Sequence, residues 1–80
     1  MGNVPTMPEL FRVLSERTGV PLAQIGLDTP LAALGLEPGG VRAVLEHFER
    51  AYALALVPHD VGTLLERPRA TVRDLYRVLQ

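Results

Sequence analysis

An all-α fold, a four-helix bundle with a long first connection and a short third helix, is what the sequence predicts. Two observations carry that prediction. Segments of the chain repeat apolar residues at i, i+3, i+4 and i+7, the spacing of one helical face. No stretch alternates with period two over more than a few residues, so strands are not expected. The length of 80 residues adds a limit. It allows one domain, spanning 1–80 with a flexible N-terminus over 1–5, and a small core that removes roughly 60–65% of the unfolded surface from water.

The first helix is expected over residues 7–18. Met7, Leu10, Phe11 and Leu14 line one face, with Arg12, Glu16 and Arg17 among the polar positions. Thr6-Met7-Pro8-Glu9 has the pattern of a capping box. Pro8 falls in the first turn, where its missing N–H costs little, and Gly19 supplies a left-handed stop.

The second helix carries Val41, Val44, Leu45, Phe48 and Tyr52 on its apolar face. Arg42, Glu46, Glu49 and Arg50 lie opposite, with Arg42/Glu46 and Glu46/Arg50 spaced for i,i+4 pairs. A short third helix holds Val61, Leu64 and Leu65, with Asp60 as its expected N-cap. Pro68 interrupts the chain before the last helix, where Val72, Leu75, Tyr76 and Leu79 follow the opening Thr71, with Asp74 three residues after it.

Residues 19–37 have a different character. Gly19, Pro21, Gly26, Asp28, Pro30 and Gly35 punctuate a run containing seven valine, leucine and isoleucine residues from Val20 to Leu36. A connection this long inside a compact domain is functional or tied down by its own side chains. Its leucines should place it across the core, with one helical turn at Leu31–Leu34.

Composition narrows the function classes. Hydrophobic residues are 48% and charged residues 21%, the balance of a folded globule rather than a disordered tail. Eight arginines, no lysine and nine acids leave a net charge of −1, so no strong field favours nucleic acid or a membrane surface. No apolar run approaches the ~18 residues of a membrane span, and no charged-then-apolar leader opens the sequence. A cytoplasmic protein that is monomeric on its own is expected. Without cysteine there is no thiolate, disulfide or cysteine metal site. One serine (Ser15) and two histidines (His47, His59) complete a thin catalytic inventory, and no enzyme activity is expected.

Several pieces in this order are similar to one family. They are Ile25-Gly26-Leu27-Asp28-Thr29-Pro30-Leu31, then Leu34-Gly35-Leu36, Leu54-Ala55-Leu56 with Pro58, and Ala70-Thr71-Val72-Arg73-Asp74-Leu75. From about Thr6 to Leu79 the chain resembles the acyl and peptidyl carrier proteins of fatty-acid, polyketide and nonribosomal peptide synthesis. The resemblance implies a four-helix bundle of acyl-carrier type. It also implies an Asp-Ser-Leu motif at the start of the second helix, whose serine bears 4′-phosphopantetheine.

That place reads Glu37-Pro38-Gly39 here. Glu37 keeps a carboxylate, Pro38 stands at the serine position without a hydroxyl, and Gly39 replaces the leucine. The resemblance therefore implies a pseudo-carrier with no cofactor and no covalent cargo. Two histories remain open, a repurposed fold and a recently inactivated carrier. The intact core pattern favours the first.

The candidate docking residues are Glu37, Pro38, Gly39 and Gly40 at the tip, with Arg42, Glu46 and Glu49 along the second helix. The tip reads either as an altered docking point or as an ordinary helix start. Carrier proteins usually present an acidic second helix to basic patches on their enzymes. The mixed signs here imply a different partner or a merely solvated face. The expected partners are biosynthetic enzymes or carrier-recognising proteins of a secondary-metabolite pathway.

The alternative is a noncovalent binder of an acyl or other small hydrophobic ligand, with a pocket between the second and third helices lined by Val44, Leu45, Phe48 and Val61. His47 and His59 lack neighbours at ligand spacing and read as isolated surface residues rather than a metal pair. Arg67, Arg69, Arg73 and Arg77 read as a solvated basic end, because Glu66 and Asp74 interrupt them and no aromatic interleaving points to nucleic acid.

Overall fold

The computed structural model describes residues 5–80, and four α-helices form among them. They are α1 (Met7–Thr18), α2 (Pro38–Tyr52), α3 (Pro58–Glu66) and α4 (Val72–Leu79). No strand forms among the described residues; the one extended contact is an isolated antiparallel bridge between Pro30 and Thr71. The third helix is short, at 9 residues, and α4 is shorter still at 8. Of the stretch expected to be flexible, residues 1–4 lie outside the described residues. Pro5 is buried, and its carbonyl accepts a hydrogen bond from Gln80 Nε2 at 3.3 Å.

The periodic faces build one apolar core. From α2, Val41, Val44, Leu45 and Phe48 are buried, and Phe48 is the largest fully buried side chain. Leu10, Val13 and Leu14 enter from α1, and Val72, Leu75 and Leu79 from α4. Only Leu64 is buried from α3. Complete burial of a leucine or phenylalanine side chain contributes roughly 1.5–3 kcal/mol, so these residues dominate the stability. Val13 belongs to the core although it is not among the expected face residues Met7, Leu10, Phe11 and Leu14, of which Met7 and Phe11 are only half-buried. The buried stripe of α1 is therefore rotated towards Val13.

The helix ends follow their sequence signals unevenly. Thr71 and Asp74 close a full capping box: Thr71 Oγ1 accepts from the Asp74 N–H at 3.4 Å, and Asp74 Oδ2 accepts from the Thr71 N–H at 3.0 Å. At α1 only half of the box forms. Thr6 Oγ1 accepts from the Glu9 N–H at 3.4 Å, while the Glu9 carboxylate is taken by Arg12. That hydrogen bond and the Glu9 charge raise the Arg12 pKa above its usual value. Gly19 ends α1 with φ 76°, donating its N–H to the Ser15 carbonyl at 2.9 Å.

The expected N-cap Asp60 is corrected by the structure. The helix opens earlier, with Val57 at the cap and Pro58 in the first position. Proline's fixed φ suits that position, and Asp60 then sits in the first turn, where the helix dipole still favours its carboxylate.

The long connection between α1 and α2 is tied at several points. It contains two 3₁₀ turns, Leu22–Gln24 and Leu31–Leu34, and only the second was legible in the sequence. Leu31 N–H donates to the Ala70 carbonyl at 2.9 Å, Val72 N–H to Thr29 at 3.0 Å, and Arg73 N–H to Leu27 at 2.8 Å. The loop thus pairs its backbone with the approach to α4. Ile25, Leu31 and Leu34 are buried against the helices.

Candidate functional site

The tip Glu37–Gly40 forms the start of α2. Glu37 is the N-cap residue, Pro38 holds the first helical position, and Gly39 and Gly40 complete the first turn. Glu37, Pro38 and Gly39 are exposed. The Glu37 carbonyl accepts from the Val41 N–H at 2.9 Å, but its side chain makes no capping hydrogen bond. A Cβ at Gly39 would meet nothing within 4 Å, whereas one at Gly40 would come within 3.2 Å of the Leu36 side chain.

No hydroxyl is offered at this tip. The single serine, Ser15, lies in α1 and donates its hydroxyl to the Val20 carbonyl at 2.7 Å. Thr29 is in the loop, its Oγ1 accepting from the Gly26 N–H at 2.9 Å.

Five of the seven candidate docking residues fall on two separate depressions, and Gly39 and Gly40 line neither. Arg42, Glu46 and Glu49 line a surface groove of about 310 Å³ between α2 and α3, whose apolar side comes from Leu45, Leu56 and Val61. Glu37 and Pro38 instead border a larger and more apolar cavity of about 460 Å³. That cavity lies between the 31–34 turn, the start of α2 and the end of α3.

The i,i+4 pairs expected along α2 do not form. The four ion pairs found among the described residues are Arg12–Glu9, Arg12–Glu16, Arg67–Asp74 and Arg73–Asp28. Exposed pairs gain only a few tenths of a kcal/mol, which does not outweigh the freedom of two long side chains. The charges on the outer face of α2 are therefore uncommitted.

The ligand pocket expected from Val44, Leu45, Phe48 and Val61 is also corrected. Val44 and Phe48 are completely buried and Leu45 nearly so, so Val44 and Phe48 present no surface to a ligand arriving from solvent. Only Leu45 and Val61 reach the groove above. Periodicity located the buried face of α2 but could not show where it leaves room.

Two features escaped the sequence reading. Val57 is 53% exposed beside the α2–α3 groove, although it belongs to the apolar run Leu54-Ala55-Leu56-Val57. That run, with its terminal Pro58, was the available signal for an apolar link rather than core. The second feature is the 460 Å³ cavity, which depends on the placement of residues far apart in sequence and has no local signature.

His47 is half-buried and packs edge-on against Phe48, with ring centroids 5.2 Å apart. His59 is exposed on a shallow groove between α3 and α4, together with Asp60, Thr63, Asp74 and Arg77. No group of three or more histidine or acidic residues among those described is positioned to hold a metal ion. Of the C-terminal arginines, Arg67 faces Asp74 at 3.9 Å and Arg73 faces Asp28 at 3.1 Å, while Arg69 and Arg77 are exposed. No helix among the described residues is long and apolar enough to cross a membrane. No protein-family model, no curated protein and no solved structure matches the chain.

Proposed function

We propose that this chain is a carrier-like docking protein of polyketide or nonribosomal peptide biosynthesis that works without a phosphopantetheine arm. The observation that carries the reading is Pro38. It is exposed at the first position of an intact, fully packed α2, where the resembled family would display its serine. The long tied loop, the short α3 and the capped α4 support an acyl-carrier-type arrangement. A buried core of this quality is what a retained, working fold requires.

Docking uses the tip and the outer face of α2. Arg42, Glu46 and Glu49 are free of internal ion pairs and border an apolar groove, so a partner meets both charge and apolar surface. The mixed signs select a partner other than one evolved for a uniformly acidic helix. A biosynthetic enzyme or a carrier-recognising protein fits this description.

The test is intact-mass spectrometry after incubation with a broad-specificity phosphopantetheinyl transferase and coenzyme A. The native chain is expected to stay unmodified, and an adduct on it would sink the reading. The Pro38→Ser/Gly39→Leu variant is expected to become modified.

A second reading is favoured by the 460 Å³ cavity beside Pro38. Its volume lies within the roughly 300–1,000 Å³ typical of small-molecule sites, and its lining is mainly apolar. In this reading the protein holds a small hydrophobic ligand noncovalently for a pathway enzyme.

A further inference from the structure

We propose that the cavity beside Pro38 takes a small molecule with an apolar body and a cationic head, in its simplest form a long-chain amine. The proposal rests on the second reading above, that this cavity binds a ligand without a covalent link, and adds the ligand's charge.

The walls offer hydrocarbon and few free hydrogen-bonding groups. Leu31, Leu36, Val41, Leu64, Leu65 and Ala70 supply the apolar surface. The backbone donors along them are spent inside the protein. Leu31 N–H goes to Ala70, Leu36 N–H to Leu31, Val41 N–H to Glu37 and Ala70 N–H to Arg67, at 2.9–3.2 Å. Along these apolar walls the charged groups that can meet a ligand's polar end are the side chains at the rim.

Three charged side chains border the cavity: Glu37, Glu66 and Arg67. Arg67 is already drawn towards α4, where its Nη1 lies 3.9 Å from Asp74 Oδ1. Glu37 and Glu66 are exposed and make no ion pair among the described residues. Two uncommitted carboxylates against one engaged guanidinium give the rim an acidic balance.

The helix ends decide where a cation sits. Glu66 is the last residue of α3, where the carbonyl ends of the helix also attract positive charge. The N-terminus of α2 near Glu37 has the opposite polarity, which offsets part of the Glu37 charge. The cationic head therefore lies on the Glu66 side, with the apolar body between Leu36 and Leu65. A fatty-acid carboxylate in the same place would face both glutamates.

The experiment is a titration of the isotopically labelled full chain with decylamine, decanol and decanoate below their aggregation concentrations, followed by NMR of the leucine and valine methyl groups. Decylamine is expected to shift Leu36, Val41 and Leu65 and to bind about ten-fold more tightly than decanoate. The Glu37→Gln/Glu66→Gln variant is expected to weaken decylamine about three- to ten-fold and leave decanol unchanged. Ala32→Phe, at an exposed position on the cavity wall, is expected to block all three probes while leaving the helical circular dichroism intact.

Equal or tighter binding of decanoate overturns the assigned charge and leaves the apolar-ligand reading standing. Decylamine binding that ignores both glutamine substitutions overturns the charge assignment as well. Failure of all three probes overturns both. The docking reading is judged separately, by the mass-spectrometric test.

Discussion

Arg73 donates through Nε and Nη2 to Asp28 Oδ1, at 3.3 and 3.1 Å, linking the long loop to α4 across 45 residues of sequence. Beneath this ion pair run the backbone bonds of Val72 to Thr29 and Arg73 to Leu27. The two layers differ in worth. The Asp28 side chain is 86% exposed and that of Arg73 44%, so solvent screens their attraction to between about 0 and 1 kcal/mol.

Asp28→Ala is therefore expected to lower the melting temperature by only a few degrees, and less in 1 M salt, where the screening length falls to about 3 Å. Thermal melts at low and high salt check this. A loss of more than 10 °C that shrinks in high salt would mean that the ion pair rather than the backbone pairing holds the loop, and a loss independent of salt would mean that Asp28 acts through something other than its charge.

At the start of α4, Thr71 and Asp74 cap each other's backbone. Thr71→Ala removes the acceptor for the Asp74 N–H and is expected to cost about 1 kcal/mol, lowering the melting temperature by about 4–8 °C. Asp74→Ala should cost at least as much, since its carboxylate also faces Arg67. Because the two side chains share one network, the double variant should lose less than the sum of the single losses. Additive losses in denaturant titrations would show that they act independently.

Two backbone positions offer opposite substitutions with the same expected sign. Ala53 ends α2 in the left-handed region at φ 52°, where a Cβ is strained. Ala53→Gly relieves that strain but gives the unfolded chain more freedom, so the net gain should be under about 1 kcal/mol. Gly62 lies inside α3, and a Cβ there meets nothing within 4 Å. Gly62→Ala should stabilise by roughly 0.5–1 kcal/mol. Equilibrium unfolding of each variant measures both, and a destabilised Gly62→Ala chain would mean that α3 needs the glycine for something other than space.

The features legible in the sequence are those whose physics is local. Thr71/Asp74, Gly19, Pro8 and the apolar stripe from Val41 to Phe48 all act within one or two helical turns, and each stands where the spacing put it. The misread features depend on the whole packing. Asp60 looked like an N-cap until Pro58 started the helix three residues sooner. The Arg42/Glu46 spacing is right for an ion pair, yet solvent leaves both side chains free. The loop's attachment through Leu27, Thr29 and Ala70, and the cavity beside Pro38, join residues tens of positions apart and leave no periodic trace. At the candidate site, the sequence identifies Pro38 and a tip, Glu37–Gly40, without serine or threonine. It does not reveal that Glu37 and Pro38 border one depression while Arg42, Glu46 and Glu49 border another.

Installing a carrier-type attachment motif tests the proposed function only if the variant folds, and the geometry of the tip favours folding. Pro38→Ser gives up the fixed φ of proline at the first helical position, a loss of about 0.4–1 kcal/mol through the unfolded state. Gly39→Leu regains about 1 kcal/mol of helix propensity, discounted near a helix end, and its Cβ enters open space. The two effects nearly cancel, and the double variant is expected to unfold within about 1 kcal/mol of the native chain. With stability matched, mass spectrometry reads recognition alone. Transfer of phosphopantetheine to the folded double variant, and not to the native chain, would identify the hydroxyl as the missing group. A folded variant that stays unmodified would count against carrier-like surroundings at the tip, and with them against the resemblance that motivates the docking reading.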